Sequence, residues 1–131
     1  MIGLDTNILL RLFRSDDPIQ SARAKRYVGQ INETEKAAVG PIVLSEFAWT
    51  LRRQFKLPKA DVIELLGELL STDDLEIFHR NAAIQALDAY RSGKADFPDY
   101  FLAYMNLDFG CASTATFDRD ALDDPTFTPV P

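Results

Sequence analysis

The chain has 131 residues, 47% of them apolar and 26% charged, a balance that supports one domain with its own core and excludes a disordered or low-complexity segment. Its single cysteine, Cys111, excludes an internal disulfide and fits a reducing compartment. A formal net charge of −6 weighs against a protein that holds nucleic acid through phosphate contacts alone; it weighs less where bound cations reverse the local field.

Met1 to Leu4 is a short apolar run, expected as a buried strand that passes through Asp5-Thr6-Asn7 into a helix patterned from Ile8 to Phe13. Asp17-Pro18 supplies an N-cap and a first helical position for a second helix through Tyr27, Val28 and Ile31. Ala37 to Val39 reads as the second strand. Pro41 to Phe55 reads as one helix with Val43, Phe47, Thr50 and Leu51 facing inward and Arg52, Arg53 and Lys56 at its C-terminal end, where positive charge is favoured. Pro58 restarts the chain, and Val62, Leu65, Leu66, Leu69 and Leu70 form the stripe of a fourth helix. Leu75 to Phe78 alternates as a third strand. Ala82 to Tyr90 and Asp96 to Leu107 carry helical spacing, and Cys111 to Phe117 reads as a final strand with Cys111 as a small core residue. The Pro-rich stretch from residue 124 to residue 131 is expected as a surface tail.

Strands separated by helices imply an α/β domain with a mainly parallel sheet, because parallel neighbours require crossover connections. We expect one domain over residues 1–131. No leader-like or membrane-spanning apolar run is present, so the chain reads as soluble and cytoplasmic.

Ligands of open parallel sheets bind beyond the carboxyl ends of the strands, which directs attention to the acids there. Asp5 follows the first strand and Asp118 the last; Glu46 lies early in a helix that follows a strand, and Asp96 and Asp99 begin another. Structural roles compete with chemical ones. Asp5 suits the N-cap of the first helix, Asp96 and Asp99 suit N-cap and N3, and Asp118 in Thr-Phe-Asp-Arg-Asp suits a turn. Glu46 fits a structural role less well, flanked as it is by Val43, Leu44, Phe47 and Ala48.

Leu4-Asp-Thr-Asn-Ile-Leu-Leu-Arg11, Leu44-Ser-Glu-Phe-Ala48, Ala95-Asp-Phe-Pro-Asp-Tyr-Phe-Leu-Ala103 and Thr116-Phe-Asp-Arg-Asp120 resemble the successive motifs of the PIN-domain family, in particular toxin ribonucleases of the VapC type. The resemblance spans essentially the whole chain. It implies a three-layer α/β/α sandwich with a mainly parallel central sheet and an Mg²⁺- or Mn²⁺-dependent endoribonuclease activity. The implied metal-site acids are Asp5, Glu46, Asp99 and Asp118, with Asp96 as a companion, supported by Thr6, Asn7, Ser45 and Thr116. For toxins it also implies a cognate antitoxin. Pro98 and Tyr100 depart from the small or aliphatic residues usual in the third motif, and Ala121 replaces an aromatic after the last; these bear on local helix geometry.

Clustered carboxylates repel one another unless cations bind, and Mg²⁺ or Mn²⁺ prefers oxygen ligands. A bound metal can activate water and stabilise charge on the attacked phosphate. His79 is the only histidine, which excludes a paired-histidine mechanism and leaves His79 a surface or capping role. Arg11 and Arg119 adjoin the acid motifs and are candidate RNA contacts; Arg52, Arg53 and Lys56 receive no role. The alternatives are a catalytically silent PIN-like module and a phosphoryl-transfer domain of haloacid-dehalogenase or receiver type. The former of these phosphoryl-transfer types wants an Asp where Asn7 stands, and the latter a Lys after the last strand, where none occurs. A homodimer is also expected. The third and fourth helices hold more apolar residues than one small face needs, namely Phe47, Trp49, Phe55, Leu57, Val62, Leu65, Leu66, Leu69 and Leu70. The core could absorb most of them; any that remain exposed would suit a partner helix, with Trp49 as an anchor.

Overall fold

A computed structural model of the chain describes residues 1–14 and 16–131 and forms an α/β/α sandwich around parallel strands. In chain order, β1 (Ile2–Gly3) leads to α1 (Thr6–Phe13) and α2 (Pro18–Thr34), and β2 (Ala37–Val39) to α3 (Pro41–Trp49) and α4 (Lys59–Ser71). β3 (Leu75–Ile77) leads to α5 (Arg80–Ser92) and α6 (Phe97–Asp108), and β4 (Thr114–Thr116) to β5 (Phe127–Pro129). One sheet has the order β1-β2-β3 and β4 pairs with β5 in a second ladder; every pairing is parallel. The middle strand β2 is buried along its whole length and consists of Ala37, Ala38 and Val39, small or β-branched residues that admit helices on both faces.

Helix starts follow the local chemistry. Asp17 Oδ1 accepts the Gln20 N–H at 3.1 Å and Pro18 opens α2, where a missing N–H costs nothing. Pro98 stands in the first turn of α6 for the same reason. Tyr100 is fully buried and its hydroxyl accepts the Ala95 N–H at 3.1 Å. A Cβ at Gly93 would lie 1.9 Å from that hydroxyl oxygen, so Gly93 makes the room that a tyrosine requires. Ala121 is buried in the short turn Ala121–Asp123. Tyr100 and Ala121 are thus accommodated by packing and Pro98 by its place in the first turn of its helix.

Four expectations are corrected. The helix from Pro41 does not run uniformly to Phe55: after Trp49 it widens over Thr50–Gln54, where the Phe55 N–H reaches the Thr50 carbonyl at 2.9 Å, a five-residue step of the kind often found near functional sites. The final strand is shorter than Cys111–Phe117, because α6 continues to Asp108 and Gly110, at φ +97°, ends it in a left-handed turn that returns the Cys111 N–H to the Asn106 carbonyl at 2.9 Å. Cys111 is therefore exposed rather than in the core. The expected surface tail contains β5: Thr126 is buried, Phe127 pairs with Thr114, and the Val130 N–H bonds the Thr116 carbonyl at 3.2 Å. Pro129 lacks an N–H, which an edge strand tolerates.

His79 is exposed, sits at φ +61° before α5 and packs its ring edge-on against Phe109. Of the apolar residues crowded into the third and fourth helices, Phe47, Val62, Leu66, Leu69 and Leu70 enter the core. Leu57 and Leu65 are half-buried, whereas Trp49 and Phe55 are exposed.

Candidate active site

The parallel sheet brings the starts of α1 and α3 to one edge. The Leu4 N–H donates to the Ala38 carbonyl at 2.8 Å, extending the β1–β2 pairing to the residue before Asp5, while Gly40, after β2, caps α3. Helices α1 and α3 therefore leave the same edge of the sheet and pack on each other, and α3 also packs on α6. Asp5 Oδ1 accepts the Ile8 N–H at 3.0 Å, so the capping role is realised, and the residue is exposed. Thr6 and Asn7 form the first residues of α1. Ser45 and Glu46 lie in the second turn of α3, the former half-buried and the latter exposed.

The acids of α6 are held more closely. Asp99 Oδ2 accepts the Asp96 N–H and the Asp99 N–H bonds the Asp96 carbonyl, both at 3.1 Å. Asp96 is engaged from the other side by Arg53, whose Nε and Nη2 reach Asp96 Oδ2 at 3.1 and 2.9 Å. Asp118 follows β4 and is fixed by its own loop: Thr116 Oγ1 accepts the Asp118 N–H, and Asp118 Oδ1 accepts the Asp120 N–H, each at 2.9 Å. Thr116 thus braces the turn that carries Asp118.

Asp99 is the acid on which these surroundings converge. Burial raises its pKa above the ordinary aspartate value; the bond from the Asp96 N–H opposes that rise, the charges of Asp118 and Asp96 add to it, and Arg53 opposes it. Asp118 and Asp96 therefore both act on Asp99, whereas Asp5 and Glu46 stand on α1 and α3, of which α3 packs on α6. Among the described residues, no three acidic, histidine or cysteine side chains stand close enough to hold one ion. Arg53 was not singled out from sequence. Its partnership with Asp96 spans 43 positions, and it lies within the widened turn after Trp49, for which the sequence has no evident signal.

Arg11, a candidate RNA contact, donates Nε to Gln20 at 2.7 Å and Nη1 to Asp16 at 3.1 Å. The other, Arg119, is exposed beside Asp118.

The family model described as PIN domain matches residues 2–126, from β1 to the threonine before β5, and so includes every acid named above. No curated protein matches the chain.

Proposed function

The chain belongs to the PIN-domain family, and from that premise we propose that it is a divalent-metal-dependent endoribonuclease, acting as the toxin of a toxin–antitoxin pair of the VapC type. The observation that supports this reading is the half-buried Asp99, whose pKa is raised first by burial and further by the charges of Asp118 and Asp96, a strain on its charged form that a cation would relieve. The donor set fits Mg²⁺ or Mn²⁺ in kind, since it contains carboxylates and neither histidine nor cysteine. Asp5, Glu46, Asp99 and Asp118 are the acids that would serve the ion, with Thr6, Asn7, Ser45 and Thr116 supporting them; because no three such side chains stand close enough together among the described residues, they would have to draw together as it binds. When bound, such a cation supplies an activated water and neutralises charge on the attacked phosphate.

The chain's own residues divide the remaining work. The Asp96 N–H keeps Asp99 Oδ2 in place, the Asp120 N–H keeps Asp118 Oδ1 in place, and the cap of α1 orients Asp5. Arg53 takes up the charge of Asp96, which makes Asp96 a positioning residue beside the ligands. Incubating the purified protein with total RNA, with and without Mg²⁺ or Mn²⁺, tests the reading: cleavage that needs the metal supports it, and cleavage that survives EDTA removes it.

That no three acidic, histidine or cysteine side chains stand close enough to hold one ion among the described residues favours a second reading, a PIN-like module that binds RNA without cutting it. Absence of cleavage under every metal condition, with binding retained, would select that reading.

The proposal includes a protein antitoxin and a homodimer. Ile42, Glu46 and Trp49 fall at i, i+4 and i+7 on α3, and the two apolar residues are 82% and 51% exposed. An acid flanked by exposed apolar surface is a place where a partner could cover the site and stop it at once. Mass in solution and RNA cleavage, measured alone and with the product of the adjacent reading frame, test both claims; an active monomer that this product does not inhibit removes them and leaves the nuclease standing.

A further inference from the structure

A groove between α1 and α2 borders the acid edge and shares with the site only Asn7 and Arg11. It is a cavity of about 480 Å³ whose walls include Asn7, Arg11, Gln20, Arg23, Arg26 and Tyr27. None of its lining residues is acidic, and α2 carries no carboxylate between its N-cap Asp17 and Glu33. In a chain of net charge −6 this is a local reversal of sign. Arg11 is committed to Gln20 and Asp16 and serves as a fixed wall. Arg23 and Arg26 are exposed and form no ion pair among the described residues.

Tyr27 adds a second, different signal. Positions 23, 26, 27 and 30 fall on one helical face, so the ring of Tyr27, 48% exposed, stands beside the two unpaired guanidinium groups. At the opposite wall, Asn7 lies two residues from Asp5, which joins the groove to the acid edge. Two cations for a polyanion and an aromatic face for a flat ring are the elements of a single-strand track. A purely acidic peptide would have no use for the ring, and a paired duplex could not present a base to it.

We propose that the α1–α2 groove binds single-stranded RNA and leads it to the acid edge, Arg23 and Arg26 holding backbone phosphates and Tyr27 stacking an unpaired base. This rests on the ribonuclease reading for the choice of ligand, and it is tested without cleavage. Binding of the full chain to a short, unstructured, fluorescently labelled RNA is followed by anisotropy in EDTA over a range of salt concentrations. Replacing Arg23→Gln and Arg26→Gln together should weaken binding and flatten the slope of log K against log salt by about 1.4, at roughly 0.7 per phosphate in single strands. Tyr27→Ala should weaken binding roughly tenfold with little change in that slope, and Tyr27→Phe should retain it. The same RNA annealed into a duplex should bind more weakly than the single strand.

Parent-like affinity and salt slope in the folded double-arginine variant overturn the proposal, as does a parent chain that binds no RNA. A variant that keeps RNA but loses the adjacent reading frame's product assigns the groove to a protein and also overturns it. RNA bound with the expected dependences yet never cut when metal is restored supports the groove and defeats the nuclease. Cleavage by all variants at the parent KM defeats the groove and leaves the nuclease standing.

Discussion

The two sides of the acid edge are built differently. On the α6 and β4 side, Asp99 and Asp118 are tied by backbone N–H groups and Asp96 by Arg53, and Asp99 pays for its half-burial with a raised pKa. On the α1 and α3 side, Asp5 is held by one helix-cap bond and Glu46 stands on an exposed face. The first side resembles a preformed half-site under electrostatic stress, the second an open one that a ligand completes. The comparison teaches that removing an acid's charge should lower activity and raise stability at the first side, and lower activity alone at the second.

The largest effect is expected at Asp99. Asp99→Asn keeps the shape and an oxygen for the Asp96 N–H but removes the charge, so RNA cleavage should fall by roughly 10² or more, a change of about 2.7 kcal/mol at the transition state. The metal-free protein should become more stable at neutral pH. Because the folded pKa of Asp99 is raised, its contribution to stability is complete below the unfolded value and is lost as pH rises through the folded one. The parent and variant should therefore converge as pH falls through that folded pKa. Urea midpoints across the acid range check this; a variant less stable than the parent at neutral pH would remove the stress assigned to this side.

Asp5→Asn should lower cleavage to a similar degree or somewhat less, with almost no change in stability, since Asn caps a helix about as well as Asp. Mg²⁺ should raise the unfolding midpoint of the parent and not of either variant, because a ligand of the folded state stabilises in proportion to its occupancy. Equal midpoint shifts in all three proteins would place the ion elsewhere. Smaller again is the effect of Asp96→Asn. It leaves a polar partner for Arg53 and should cost about tenfold in cleavage or less, in keeping with a residue that positions ligands. A loss equal to that of Asp99→Asn would make Asp96 a ligand.

What could be read from sequence follows the range of the interactions concerned. The helix starts at Asp5, Pro41 and Asp96 were legible because caps and prolines act within one turn, as was the start of α2 at Asp17-Pro18. β5 was hidden because Phe127, Thr128 and Pro129 earn their strand only by lying beside Thr114, Ala115 and Thr116, and a proline-rich stretch otherwise suggests a tail. Cys111 was misplaced because the left-handed turn at Gly110 ends α6 later than the apolar pattern suggests. In the site, Asp99 was indicated by its motif, yet its interplay with Asp118 and the clamp of Arg53 on Asp96 are long-range and emerge only from the fold.

The smallest expected effect concerns the foundation of the preformed side. Tyr100 lies one turn into α6, fully buried, with its hydroxyl against Gly93 and bonded to the Ala95 N–H just before the Asp96 cap. Tyr100→Phe leaves that N–H without its partner, which should lower stability by about 1 kcal/mol near neutral pH and loosen the segment that carries Asp96. Burial raises the Tyr100 pKa, the Ala95 bond opposes that, and Asp123 adds to the rise. The tyrosine's contribution is therefore complete below its unfolded pKa and is lost as pH climbs through the higher folded value. The parent should lose its advantage over Tyr100→Phe in strongly alkaline solution, which denaturant midpoints measured on both sides of the ordinary tyrosine pKa will show. A gap that widens with alkalinity contradicts the burial of the hydroxyl. A gap that is absent at neutral pH means that the Ala95 bond contributes nothing, and that the order of the α6 side comes from Arg53 and Asp99 alone.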